Sequence, residues 1–168
     1  MDGAIAGMAS SLYDLDALSW SEQQGGLLRR IAEGERLNAA VDWPNVIEEI
    51  EAMGRSELRS CGSYLRQAIF HLLKLHAWPG SQAADHWRGE VFVFLDLAQR
   101  AFTPSMRRRI SLEDEYRGAL RLARFAMREI ETLARPLPDA CPFTLDELLT
   151  GEPVALSARL DEPPAQGT

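Results

Sequence analysis

Leu58-Arg59-Ser60-Cys61-Gly62-Ser63-Tyr64-Leu65-Arg66-Gln67-Ala68-Ile69-Phe70-His71-Leu72-Leu73-Lys74-Leu75 places apolar side chains at Leu58, Cys61, Leu65, Ala68, Leu72 and Leu75. Steps of three and four keep these residues on one face of a helix with 3.6 residues per turn. A seam this long belongs to a helix packed nearly parallel to its neighbours. Ser56 is the expected cap of this helix, and Pro79-Gly80-Ser81 its end.

Downstream, Asp85 is the expected cap of a fourth helix with the seam Trp87, Val91, Phe94, Ala98 and Ala101. The connection is short, so the two helices should run antiparallel. Val91-Phe92-Val93-Phe94-Leu95 is the only run rich in strand formers. It is flanked by helical residues and has no second strand to pair with, so it reads as helix. Thr103-Pro104 should start a short helical piece reaching Ile110. Ser111 with Asp114 then caps a last long helix, whose seam is Leu112, Tyr116, Ala119, Leu120, Ala123, Met127, Ile130 and Ala134. Pro136 and Pro138 terminate it. Thr144 and Glu147 form a capping box for one or two more turns, a lid-like appendage ending at Gly151.

Upstream, a first helix is expected from Ser11 to about Glu33, closed by Gly34, with Leu15, Leu18, Leu27, Leu28 and Ile31 on its apolar side and a bend at Gly25-Gly26. Asp42 before Trp43-Pro44 signals a short acidic helix. It would gather Val46, Ile47, Ile50 and Met53 on one side and stop at Gly54. The fold class is therefore all-α: an antiparallel helical bundle of about four longer helices with short capping helices. Residues 1–10 are expected to be a flexible N-terminus, 11–151 one domain and 152–168 a flexible tail.

A chain of 168 residues with 46% hydrophobic and 26% charged residues can bury a core without staples. Its two cysteines, Cys61 and Cys141, form neither a disulfide framework nor a zinc knuckle. The N-terminus lacks the basic and apolar regions of a signal peptide, and no apolar run is long enough for a membrane span, so the expected location is cytoplasmic, with no membrane partner. A net charge of −7 disfavours nucleic acid on average. The charge is uneven: residues 1–60 and 139–168 are acidic, whereas residues 105–135 carry eight arginines against five acids.

Asp42-Trp43, Glu48-Glu49-Ile50-Glu51, Met53-Gly54-Arg55-Ser56-Glu57 and His71-Leu72-Leu73-Lys74 together resemble the bacterial Domain of Unknown Function 29 family. Tyr13-Asp14 with Trp20, Trp87-Arg88 and Cys141-Pro142-Phe143-Thr144 extend the likeness over roughly residues 12–150. The resemblance implies a small α-helical bacterial protein and brings no activity, substrate or cofactor. Gly25-Gly26 departs from it, because similar proteins favour helix formers there.

Two constellations carry possible chemistry. Glu48, Glu49, Glu51 and His71 are the candidate metal ligands or hydrolytic residues, since carboxylates and imidazole in a bundle can bind iron or manganese. Against this, no Glu-x-x-His pair occurs, and His71 and His76 are five apart and do not share a helical face. The plainer reading makes the glutamates a solvated or arginine-paired surface and His71 a hydrogen-bonded interior or boundary residue. No histidine accompanies either cysteine as a base, and Ser56 reads as a cap.

Arg117, Arg121, Arg124 and Arg128 lie within about 60° of one another on the last long helix, roughly 110° from its seam. They make a candidate interaction surface. Arg107-Arg108-Arg109 adds charge upstream. The plainer alternative pairs the stripe with the Glu48-Glu49-Glu51 helix. Aromatic residues are not interleaved with the arginines, so nucleic acid is a disfavoured partner. Trp43 and Trp78 at helix ends are expected to have buried rings and bonded N–H groups. The leading expectation is a non-enzymatic interaction or regulatory module that binds protein, itself included, with no cofactor. The alternatives are a Glu/His metal-binding or hydrolytic enzyme and a nucleic-acid binder using the arginine stripe.

Overall fold

The computed structural model describes residues 11–128 and 135–161. Seven α-helices and no strand occur among the described residues: α1 Leu12–Leu15, α2 Ala17–Ala32, α3 Trp43–Ala77, α4 Ala84–Ala101, α5 Leu112–Arg128, α6 Leu145–Thr150 and α7 Pro153–Arg159. The protein is an all-α bundle in which α2 to α5 are the longer helices. Two compact units are found, Met1–Gly54 and Arg55–Thr168.

In the first unit the expected single helix is broken at Asp16 rather than bent at Gly25-Gly26. The Asp16 carboxylate accepts from the backbone N–H and hydroxyl of Ser19, at 3.0 and 2.7 Å, and so starts α2 afresh. Gly34, at φ 99°, follows the end of α2 as anticipated. The small core is Trp20, Val41 and Val46, with Tyr13, Leu27, Leu28 and Ile31 packed against it. Leu15 and Leu18 are exposed. Asp42 organises the crossing: its carboxylate accepts from Trp20 Nε1 at 3.1 Å and Asn45 Nδ2 at 2.7 Å, while its N–H donates to the buried Gln24. The Asn45 bond, followed by that from Trp20, holds the Asp42 carboxyl below its ordinary range against the opposing effect of burial.

The expected stop at Gly54 does not occur. Helix α3 continues through it for 35 residues in all. A helical glycine costs only about 1 kcal/mol relative to alanine, and the glutamates, Ala52, Met53, Arg55 and Leu58 around it are helix formers. Ile47, Ile50 and Met53 are exposed, not buried as a common face with Val46.

In the second unit the seams pack much as their spacing suggests. Cys61, Leu65, Ala68, Leu72 and Leu75 of α3 meet Trp87, Val91 and Ala98 of α4 and Tyr116, Ala119, Leu120 and Ala123 of α5 in one core. Leu95 is buried in preference to Phe94. Ala83 rather than Asp85 occupies the N-cap of α4, leaving Asp85 in the first turn. The piece after Thr103 is a single 3₁₀ turn, Pro104–Met106. Ile130, Ala134 and the Met127 side chain lie outside the described residues. The Thr144–Glu147 capping box forms, but α6 is no lid: Leu148 and Leu149 are buried in the core. Nor does ordered structure end at Gly151, because α7 follows and adds Leu156 and Leu160 to that core. Both α6 and α7 pack on α4.

Candidate functional site

Glu48, Glu49 and Glu51 are exposed on the opening turns of α3. Glu49 accepts from the Tyr13 hydroxyl at 2.5 Å, and this bond, with burial and the Glu49 charge behind it, pushes the phenol up to about 12. The glutamates belong to the first unit and His71 to the second. Among the described residues no group of three or more His, Cys, Asp or Glu side chains is placed to hold a metal ion.

His71 is not the hydrogen-bonded residue expected. Its Nδ1 is buried without a partner, and its ring lies 5.1 Å from Phe70 and 5.9 Å from Phe94, nearly parallel to the latter. Burial first, then the charge of Lys74, brings its pKa down to about 4, with Glu90 pulling the other way and His86 adding to the fall. The imidazole is therefore neutral at pH 7. Lys74, one turn on, holds its Nζ 4.2 Å from the Trp87 ring centroid and 5.2 Å from that of Phe70. Burial lowers its pKa, opposed by Glu90. Sequence periodicity passed over this cluster because Trp87 and Phe94 come from another helix. The signal available was that Lys74 is the sole lysine of the chain.

The arginine stripe projects from α5, and all four of its residues are exposed. Arg117 pairs with Glu113 and Asp114 one turn back, at 3.9 and 3.4 Å. Arg124 reaches Asp139 at 2.6 Å. These are the counter-charges found for the stripe among the described residues. Among the described residues, Arg121 and Arg128 have no carboxylate in ion-pair reach. Leu122 and Phe125 lie beside them on the same outward side, 42% and 61% exposed, so the face combines guanidinium groups with an apolar patch. Arg107 stands apart in a two-pronged pair with Asp146, at 2.9 and 2.7 Å.

A cavity of about 180 Å³ is lined by Leu75, His76, Arg88, Arg135, Val154 and Asp161 among others. Its polar groups are engaged with one another and with their surroundings. His76 faces Asp161 Oδ1 at 3.1 Å and the Pro136 carbonyl at 3.0 Å, Arg135 also reaches Asp161, and Arg88 holds Asp85. The tryptophans divide. Trp78 is buried with its Nε1 unpartnered, whereas Trp43 is 40% exposed and donates to the Asn38 carbonyl. Neither combines a buried ring with a bonded N–H. No helix is long and apolar enough to cross a membrane among the described residues.

A solved α-helical protein of unknown function from Rhodospirillum rubrum is similar at 30% identity, with a TM-score of 0.67 over 90% of this chain and 99% of that one. No curated protein matches. The family model for the domain of unknown function DUF29 matches residues 12–152. With that match spanning most of its length, the chain belongs to the DUF29 family.

Proposed function

We infer that the chain is a non-enzymatic, cytoplasmic protein-interaction module that engages an acidic partner surface through the outer face of α5. The observation that carries this reading is the juxtaposition of exposed Arg121 and Arg128 with exposed Leu122 and Phe125. Arginine beside an aromatic ring suits an interface: the guanidinium offers forked donors to carboxylates, and the ring buries area at little entropic cost. The helix is braced for the purpose, since the core holds its inner side and Asp139 fixes Arg124. An acidic chain with one basic face also provides the complementary charge for a second copy.

The test compares immobilised wild-type protein with the Arg121→Glu, Arg128→Glu variant in capture from lysate and in sizing of the isolated protein. A partner, foreign or identical, should be held by the wild type, lost to the variant, and weakened as ionic strength rises. Each contact should contribute about fivefold in affinity. Equal capture by both proteins at all salt concentrations would end this reading.

A further inference from the structure

The 180 Å³ cavity is walled by three stretches of chain that are stitched together: the end of α3, Arg135-Pro136 and the end of α7. The Arg135 N–H donates to the Ala77 carbonyl at 3.0 Å. His76, whose side chain is only 9% exposed, faces the Pro136 carbonyl at 3.0 Å and Asp161 Oδ1 at 3.1 Å. Arg135 is thereby fixed through its backbone, with Nη1 3.2 Å from the same Asp161 oxygen. A second guanidinium, that of Arg88, comes into the wall from α4.

We propose that this cavity binds a small organic monocarboxylate with a short apolar body, its carboxylate taken by Arg88 and Arg135 and its body set against Leu75 and Val154. The wall holds two guanidinium groups and one carboxylate, Asp161, and so carries surplus positive charge in a chain of net charge −7. Asp85, which pairs with Arg88, is not in the wall, and its side chain is 97% exposed. An ion pair so exposed holds weakly and yields to a better-placed anion. Among the described residues each of the two guanidinium groups meets its aspartate through Nη1 alone, which leaves the Nε–Nη2 edge for a second acceptor. Leu75, Pro79, Pro153 and Val154 give the cavity an apolar side. Its volume lies below the roughly 300 Å³ at which drug-sized ligands fit, so the ligand is small. A single surplus charge suits a monocarboxylate better than a phosphate monoester, whose second negative charge would be left facing Asp161. The carbonyl end of α3 disfavours an anion, but two full guanidinium charges outweigh the half-charge of a helix end. The site shares no residue with the α5 face.

The test titrates the full chain with hexanoate at pH 7 by calorimetry and by NMR of the Val154 and Ser157 amides. Hexanoate should bind saturably with a Kd of about 1 mM or tighter. Hexanol and hexylamine, which carry the same body without the negative charge, and inorganic phosphate, which carries charge without the body, should each bind at least about tenfold more weakly. Arg88→Gln and Arg135→Gln should each weaken hexanoate about tenfold or more with the helical spectrum retained. Val154→Asp, at an exposed side chain that takes part in no hydrogen bond, should abolish binding by cancelling the surplus charge. Hexanol bound as tightly as hexanoate, or hexanoate affinity unchanged in Val154→Asp or in both arginine variants, would overturn the proposal. Phosphate bound more tightly than hexanoate would overturn the ligand class.

Discussion

Arg66 on α3 donates from Nε and Nη2 to one oxygen of Glu115 on α5, at 2.8 and 2.7 Å, and each helix gives up a side chain to make room for the pair. A Cβ on Gly62 would stand 2.7 Å from Glu115 Oε1, and one on Gly118 would stand 2.8 Å from Arg66 Nε. Both glycines lie inside helices, where alanine would ordinarily stabilise by about 1 kcal/mol. Here a methyl on Gly62 must shift the end of the Glu115 side chain, whose other oxygen holds Arg66. Gly62→Ala should therefore destabilise by about 1 kcal/mol in the wild type, yet stabilise by a similar amount in a Glu115→Ala background. Urea denaturation of the four proteins measures the sign reversal, and two effects of the same sign would remove the glycine-for-charge explanation.

His71 links stability to pH. Its folded pKa of about 4 lies below its ordinary 6.5, so between these values the unfolded chain binds the extra proton. Stability from this group is complete above pH 6.5 and is lost as pH falls towards 4, amounting to about 3 kcal/mol at the bottom of the window. His71→Phe removes both the titration and the unpartnered Nδ1, so its advantage over the wild type should grow from pH 7 to pH 4. A constant difference in urea midpoint across that range would show that the imidazole does not titrate there.

Thiol chemistry offers a separate check on the core. Cys61 is fully buried, and its Sγ faces the Ala98 carbonyl at 3.7 Å; burial and then Glu115 raise its pKa. At Cys141, burial pushes the thiol up to about 11 despite the bond that involves the Phe143 backbone. A thiol held there, rather than at its ordinary 9.0, is about a hundredfold less ionised at neutral pH. A chromogenic disulfide should therefore react with the native protein at least about a hundredfold more slowly than with the unfolded chain, where both thiols react freely. Fast stoichiometric reaction of one thiol in the folded state would contradict this burial.

The parts of the fold that could be read from sequence are those whose physics is local or periodic. The Thr144–Glu147 box closes over three residues and forms, and the Ser111 hydroxyl accepts from the Asp114 N–H at 3.3 Å as a cap should. The alternating steps from Cys61 to Leu75 and from Trp87 to Ala98 predict burial because helix geometry alone aligns them. Reading failed where two local preferences competed. Gly54 carries a weak stop signal that is outweighed by the helix formers around it, and Asp16 caps a new helix inside a run that periodicity treats as continuous. It failed again where the deciding partner is distant in sequence. Nothing near Arg124 marks Asp139 as its counter-charge, and nothing near Lys74 announces the Trp87 ring.

The final helix shows the same limit and supplies the last prediction. Pro153-Val154-Ala155-Leu156-Ser157-Ala158-Arg159-Leu160 looks too short and too mixed to hold itself together, and an isolated helix of that length is not stable in water. It persists because Leu156 and Leu160 are almost wholly buried in the core and Arg159 reaches back to Glu147 at 3.3 Å and to the Pro142 carbonyl. Pro153 at the first turn costs no hydrogen bond, and Leu156 N–H closes onto the Glu152 carbonyl at 3.0 Å. Leu156→Ala should thus cost about 2–4 kcal/mol, the range for a truncated core leucine, whereas Val154→Ala, at a side chain 75% exposed, should cost less than about 0.5 kcal/mol. Deleting residues 152–168 should destabilise at least as much as Leu156→Ala, because it removes Leu160 from the core as well as Leu156. If the truncated chain melts at the wild-type temperature, α7 is an ornament on the core and not a part of it.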